Sequence, residues 1–458
     1  MESKIHMEDR GDLLKKLREY FGFEGMSRQI SGYGYSYSKK RYLISIGFLF
    51  MLVGAGSILF QLRIQSILLV ALVGFLCLPA VTKAQYYVRF QQRRFMEVDV
   101  YIHQMTYSFQ KTPKISIALE DTYKISDGRL HQIVGLAIDE LKYGVSQWVY
   151  TDALSIIEEE YKCERIAALH SFMVNVEQKG GRYHNSINVL LVDIDRWVKR
   201  TYRLWEEIRK VKRDTAVGIF ISILLAAASI LIGWILKSTS AVNMDISKEV
   251  LYQVTSGVFL VLSLLFYCYT QVHYKSDWLS ATRTDKQTEY DLKIFRSKKK
   301  GILYKGAAKR IEEDLYSGFP LWLRNIALDL QGKTLQAAIR DSYDSCPCVM
   351  KGSLGEFIEA LEADPSDVTP YYDFLGEFKV PDISASVRTL YGLSELDYSN
   401  MDGTINTLIA RNYELVDKHE SLRQTDRLSV MKFCEYIPVF MVSVKMGLDM
   451  MLLLTCYL

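Results

Sequence analysis

The sequence predicts an all-α polytopic membrane protein with about five transmembrane helices and two duplicated cytoplasmic helical-bundle domains. Three observations carry this. Five apolar runs approach or exceed the length needed to cross a hydrocarbon core of roughly 30 Å as helices. Two long polar blocks between them are rich in good helix formers, poor in proline, and show no alternating strand pattern. Each polar block also leads into an apolar run through similar residues.

The elements follow in chain order. Residues 1–41 form an N-terminal cytoplasmic segment. In "GDLLKKLREYFGF" Leu13, Leu14, Leu17 and Phe21 share one face of an amphipathic helix, and "SGYGYSYSKKR" reads as a linker. Residues 42–82 hold Tyr42 to Phe60 and Ile64 to Val81, a transmembrane hairpin broken only by "QLR". The first cytoplasmic domain is 83–215. A second hairpin occupies 216–270, with Ala216 to Leu236 and Val250 to Thr270 as its crossings. The second cytoplasmic domain is 271–436, and 437–458 is the C-terminal transmembrane helix. Within the polar blocks, Ile187, Leu190, Leu191, Ile194, Trp197 and Val198 make a helical stripe, and Ile405, Leu408, Ile409, Leu415 and Val416 make another.

Charge placement sets the expected orientation. Lys39, Lys40, Arg41, Lys83, Arg89, Arg93, Arg94, Lys210, Lys212, Arg213, Lys293, Arg296 and Lys298 to Lys300 flank the runs on one side; Arg63, Lys237 and Lys248 lie on the other. The positive-inside tendency then makes the N-terminus and both polar blocks cytoplasmic. With 56 basic against 53 acidic residues the chain has no surplus suited to nucleic acid, and the basic residues read as membrane anchors. Cys77, Cys268 and Cys456 fall in apolar runs, while Cys163 and Cys434 stand alone, a pattern of reduced thiols.

Internal repetition is the most informative pattern. Displaced by 218 positions, "VEQKGGRYHNSINVL" (176–190) meets "SELDYSNMDGTINTL" (394–408). Ala167, Glu177, Ile187, Asn188, Leu190, Val198 and Leu204 meet the same residue types at Ala385, Glu395, Ile405, Asn406, Leu408, Val416 and Leu422. Upstream, "ISIALEDTY" (115–123) resembles "LQAAIRDSY" (335–343) at a slightly different displacement. The simplest account is a duplicated domain whose final helix runs toward the bilayer.

No catalytic, cofactor or metal constellation emerges. "GILYKGAAK" (301–309) has Ala307 where a phosphate loop needs lysine and Ala308 where it needs Ser or Thr, so it reads as a turn entering a helix. "SCPC" (345–348) lacks a second ligand pair and reads as an interhelical turn. His103, His131, His170, His184 and His419 form no local pairing, and Glu158 with Glu159 and Glu312 with Glu313 look like solvated faces. One polar pair stands out: Lys445 and Asp449, spaced i, i+4 inside the last apolar run, share a helix face and can neutralise each other. It is either a contact point facing other helices, or a structural pair or a lysine snorkelling to the interface.

The order of cytoplasmic block, two crossings, related block and final crossing resembles the type II secretion F family, the platform proteins of type II secretion, type IV pili, tight-adherence pili and archaella. "FQKTPKISIALEDTY" is similar to the family's first conserved stretch, with Lys111-Thr112-Pro113 in place of its glycine turn. "VEQKGGRYHNSINVLLVDI" is similar to the second, with Glu177 and Gly180 at the turn. In block two, "LDLQGKTLQAAIRDSY" retains Gly332, and Glu395 keeps the acid of the second stretch; Tyr398 stands where Gly180 does, and Gly403 comes later. The resemblance covers about 95–458, and the N-terminal hairpin points to the tight-adherence branch. It implies a non-enzymatic, multi-pass platform in the bacterial cytoplasmic membrane, without cofactors. Such a platform engages a hexameric secretion ATPase, handles prepilin or pilin subunits, and forms a homo-oligomer or pairs with a related subunit. A polytopic transporter or channel subunit is the alternative, for which Lys445 and Asp449 alone speak.

Overall fold

The computed structural model describes residues 20–144, 149–180, 184–238, 246–275, 278, 285–297, 301–330, 333–344, 346–365, 367–394 and 398–457. Among these every regular element is a helix. The chain separates into two compact units. One comprises Met1–Arg93, Tyr202–Asp277 and Thr425–Leu458; the other comprises Arg94–Thr201 and Trp278–Gln424. They are called here the apolar and the polar unit.

Among the described residues five helices are long and apolar enough to cross a membrane. Their apolar parts belong to α2 (Lys39–Phe60), α3 (Ile64–Lys111), α8 (His184–Ser238), α9 (Val250–His273) and α17 (Ile437–Tyr457). In the apolar unit Leu49, Val53, Val70, Ala226, Phe259, Leu260 and Val442 bury against one another, whereas Leu43, Ile44, Phe48, Met51 and Leu68 stay exposed. Outward apolar faces of this kind suit lipid. A Cβ on Gly74 of α3 would meet Leu49 Cδ1 of α2 at 2.7 Å, so this glycine permits the close approach of the hairpin helices. At the hairpin loop Gln61 takes the left-handed conformation with φ 48°. Arg63 N donates to Gln253 Oε1 at 2.7 Å, and Gln253 Nε2 donates to Gln61 O at 2.9 Å, tying the first hairpin to the start of α9.

The N-terminal segment departs from its sequence reading. Most of the amphipathic stretch at 11–23 lies outside the described residues, but a helix that the sequence did not suggest, α1 (Phe23–Ser31), follows it. It buries Met26 and Ile30 against Tyr37 and Tyr86. The segment after it joins α1 to α2 as a linker does, yet it is packed: Tyr37 is buried, and Tyr33 and Tyr35 meet Phe90 and Tyr86 with ring centroids 5.2 and 5.7 Å apart. The tyrosines at alternate positions, read as linker composition, supply that packing.

The polar unit begins with the tail of α3 and continues through α4 (Ile115–Ile125), α5 (Gly128–Tyr143), α6 (Val149–Tyr161), α7 (Glu164–Lys179) and the first part of α8. Of the stripe, Ile187, Leu190, Ile194, Trp197 and Val198 are buried as their spacing predicts, and Leu191 is half-buried. From the second block come α10 (Asp285–Arg296), α11 (Ile302–Asp329), α12 (Leu335–Asp341), α13 (Cys348–Ala363), α14 (Thr369–Asp373), α15 (Pro381–Ser394) and α16 (Tyr398–Phe433). Their core centres on Trp322, wholly buried, whose Nε1 donates to Ser342 Oγ at 2.8 Å. Gly301 precedes α11, so "GILYKGAAK" does enter a helix. The Cys346–Cys348 turn joins α12 to α13; Pro347 packs so tightly on Gly318 that a Cβ there would lie 2.7 Å from its Cγ, and burial pushes the Cys346 thiol up to about 12.

Two readings of charged residues need correction. Glu158 is not simply part of a solvated face: Tyr101 Oη and His170 Nε2 are 2.7 Å apart, and His170 Nδ1 lies 2.7 Å from Glu158 Oε1. The network assigns a neutral imidazole that donates from Nδ1 to the carboxylate and accepts from the tyrosine. His103 corrects the expectation that the histidines form no local pairing: its Nδ1 lies 2.8 Å from Asp99 Oδ1, one turn away, and its Nε2 2.9 Å from Asp195 Oδ1. Glu313 pairs with Arg423 at 3.1 Å and is only 20% exposed. Both partners are remote in sequence, so no local spacing reveals them.

Burial is the dominant effect on His170 and lowers its pKa, outweighing the opposing pull of Glu158. An unfolded histidine titrates near about 6.5, so between that value and the lower folded one the unfolded chain binds the extra proton. The resulting stability is complete above the unfolded pKa and is lost as pH falls below it. Relative to His170→Gln, the detergent-solubilised wild type is therefore expected to lose more thermal stability between neutral and acid pH, a comparison that cancels the opposite contribution of His103, whose pKa its aspartate partners raise to about 9.

Candidate functional site: a motif turn and a buried polar pair

α7 ends at Gly180, which has φ 71° and ψ −154°. Open space surrounds its Cβ position, so the backbone conformation and not crowding requires glycine. One turn earlier, Glu177 Oε2 accepts from Ile115 N at 2.8 Å, and Tyr150 Oη donates to Glu177 Oε1 at 3.2 Å. Lys114, the residue at the N-cap of α4, makes no side-chain cap of its own. Glu177 thus satisfies an amide that a helix N-terminus leaves free, and its charge lies where the helix dipole favours an anion. The two stretches that carry the family resemblance in block one meet in this bond.

In the second block α12 carries its own cap. Thr334 Oγ1 accepts from Ala337 N at 3.4 Å at the start of α12. Glu395 and Gly332 lie outside the described residues. Tyr398 opens α16, and Gly403 sits inside that helix and not at its entry.

Lys445 and Asp449 lie in the apolar unit and are 2% and 1% exposed. They bond directly to one another, as i, i+4 spacing predicts. Asp449 Oδ2 also accepts from Ser229 Oγ of α8 at 2.7 Å, and Lys445 Nζ sits 4.1 Å from the ring centroid of Tyr252 on α9. Snorkelling is ruled out for this lysine because its ammonium ends among three helices. The sequence reading found the pair but missed Ser229 and Tyr252. Ser229, the one polar residue in the apolar run "LLAAASILI", was the available signal.

The polar unit holds a second arrangement that the sequence did not suggest. Arg196 of α8 reaches Glu414 of α16 at 3.2 Å, and Arg200, one turn along, bonds to both Asp417 and Glu420. Arg165 of α7 lies 3.6 Å from Asp193 and 4.0 Å from Glu420, with its guanidinium 4.7 Å from the Trp197 ring centroid. Of these, Arg165, Asp193 and Glu420 line a cavity of about 350 Å³ together with Arg310, Glu313 and Arg423, so its wall carries both basic and acidic groups. Among the described residues no group of three or more His, Cys, Asp or Glu side chains is placed to hold a metal ion.

Two sets of variants separate structural from functional roles. Glu177→Ala leaves the Ile115 amide uncapped and is expected to cost about 1–2 kcal/mol in equilibrium unfolding. Glu177→Gln, which retains an acceptor, is expected to cost less. Asp449→Ala or Lys445→Ala strands one buried charge and should cost about 3 kcal/mol or more, whereas a double change to apolar residues of similar volume is expected to be near neutral. Thermal unfolding reads these effects; a double variant as unstable as the singles would contradict mutual neutralisation.

Compared with models of known protein families, with curated proteins and with solved structures, the chain matches none.

Proposed function

We propose that the chain is a non-enzymatic platform of the type II secretion F family, acting in filament assembly at the bacterial cytoplasmic membrane. The observation that carries this reading is the continuity of α8. It is one helix of 55 residues whose first part presents the buried stripe of the polar unit and whose later part is an apolar membrane-crossing candidate. In the second block α16 leads through the short 3₁₀ turn Cys434–Tyr436 into α17. A bundle rooted in this way can deliver a rigid-body displacement to its membrane segment without an intervening hinge loop. A cytosolic hexameric ATPase would supply the displacement, pilin or prepilin subunits would receive it, and a second copy or a related platform subunit would complete the assembly. In this reading the N-terminus and polar unit are cytoplasmic.

Duplication is part of the proposal, and three observations support it. α4, α5, α7 and α8 follow one another as α12, α13, α15 and α16 do. The repeated stripe residues Ile187, Leu190, Ile405 and Leu408 are all buried. Arg196 and Glu414, which occupy the same place in the two copies at a separation of 218, face each other across the seam. Like positions meeting in this way are expected where two copies of a helix lie side by side.

A transporter or channel subunit is the second reading, favoured by the buried Lys445 and Asp449. Each of those charges already has its partner within the protein, which suits a structural role better. Deleting the gene is expected to abolish filament assembly or secretion while the purified partner ATPase still hydrolyses ATP. Robust filaments in the deletion strain would sink the platform reading, and solute flux in proteoliposomes holding this chain alone would favour transport.

A further inference from the structure

In the apolar unit, between residues 20 and 93, the sequence contains eight basic residues and a single acid, Glu24. Arg63 is engaged by the protein itself, its guanidinium donating to Lys248 O. The others gather elsewhere, around α1, the first turn of α2 and the part of α3 that follows its apolar stretch. Lys39, Lys40, Arg41 and Arg89 are exposed and Lys83 is half-buried. Several of these cations stand over aromatic rings. Lys83 Nζ is 4.1 Å from the Tyr20 centroid, Lys39 Nζ 5.8 Å from Phe23, Arg89 5.7 Å from Tyr86, and Arg93 5.0 Å from Tyr35. Arg41 Nη1 donates to Tyr86 Oη at 3.3 Å. Rings and a hydroxyl orient these groups, and among the described residues no carboxylate pairs with Lys39, Lys40, Arg41, Lys83 or Arg89.

Two further facts sharpen the imbalance. Lys39, Lys40 and Arg41 occupy the first turn of α2, which has no acidic residue, although a helix N-terminus repels cations. The preceding residues 1–19 contain five acidic and five basic residues, so by charge they bring no surplus anion. One turn further along α2, Leu43, Ile44 and Phe48 are exposed and apolar. The basic collar is therefore continuous with a face suited to acyl chains, and its aromatic rings are the kind that settle at headgroup depth.

We propose that this collar is a recognition surface for anionic phospholipid headgroups, which bind Lys39, Lys40, Arg41, Lys83 and Arg89 and hold α1 at the membrane interface. The inference rests on the membrane-spanning reading of the apolar helices and is independent of the platform reading. Its occupant is chosen by charge complementarity, with lipid phosphate supplying the anion and the aromatic side chains the interfacial contact.

The full chain can be tested in nanodiscs of phosphatidylcholine and phosphatidylglycerol, with native mass spectrometry reading the lipids retained. Phosphatidylglycerol is expected to be enriched about fivefold or more over phosphatidylcholine. The enrichment should fall toward parity in a Lys39→Gln/Lys40→Gln/Arg89→Gln variant and persist in Arg63→Gln. A second measurement needs no variant: amide exchange across 23–41 should slow when phosphatidylglycerol replaces part of the phosphatidylcholine around the wild-type chain. Equal retention of both lipids by the wild type, unchanged amide exchange, or enrichment that survives the triple substitution would overturn the proposal.

Discussion

An apolar helix in lipid receives little instruction about its rotation, because its neighbours and the acyl chains are equally apolar. In this protein the instruction comes from a few polar groups. Asp449 can accept from Ser229 and from Lys445, and Lys445 can meet the Tyr252 ring, only when α17 turns one particular face toward α8 and α9. Gln253 does similar work at the other helix pair, accepting from Arg63 N and donating to Gln61 O. The apolar residues around these groups fill space and favour burial, but many rotations would let them do so. Placing the i, i+4 ion pair at the meeting of three helices specifies one packing at the cost of desolvating two charges.

The polar unit solves the same problem in water with more numerous and weaker contacts. Arg165, Arg196 and Arg200 meet Asp193, Glu414, Asp417 and Glu420 along the contact of α7, α8 and α16. Desolvation offsets much of the Coulombic gain in such a seam, so its main product is register. Burial stability comes from the aromatic cores instead. Phe95 meets Trp197 and Trp278 at 5.0 and 5.3 Å, and Trp322 meets Phe374 at 5.5 Å. A nearly balanced composition thus conceals two kinds of charge: paired within the polar unit, and, among the described residues, without a carboxylate partner at Lys39, Lys40, Arg41, Lys83 and Arg89 around α1 and α2.

What could be read from the sequence was what repeats locally. The apolar runs, the stripe from Ile187 to Val198 and the spacing of Lys445 and Asp449 are periodic within a few turns, and the helices follow them. The cap that Glu177 provides was not legible, because its partner Ile115 lies 62 positions away and a glutamate in a helix carries no mark of its acceptor role. The Tyr101, His170 and Glu158 relay and the Glu313 ion pair escaped for the same reason. α1 escaped because glycine and tyrosine dominate its surroundings, and the helix depends on Met26 and Ile30 finding Tyr86 on another helix. Residues 395–397 of block two, with Glu395 of the repeated stretch, lie outside the described residues.

The contrast between the two blocks bears on how a force entering the polar unit would travel. In block one a single carboxylate joins the end of α7 to the start of α4 and to Tyr150 of α6, so a shift of the Glu177–Gly180 turn must be felt by two other helices or break their bonds. In block two Thr334 caps α12 from within, so that helix end keeps its cap without help from a distant turn. Where α6 runs for 13 residues in block one, block two has only Thr369–Asp373 and the 3₁₀ turn Gly376–Phe378, flanked by Leu375 at φ 58° and Lys379 at φ 51°. Non-glycine residues held there cost of order 1 kcal/mol each, which the buried Leu375 and Phe378 side chains help to offset. Glu177 therefore couples three helices of block one through one side chain, whereas the start of α12 in block two carries its cap within its own first turn.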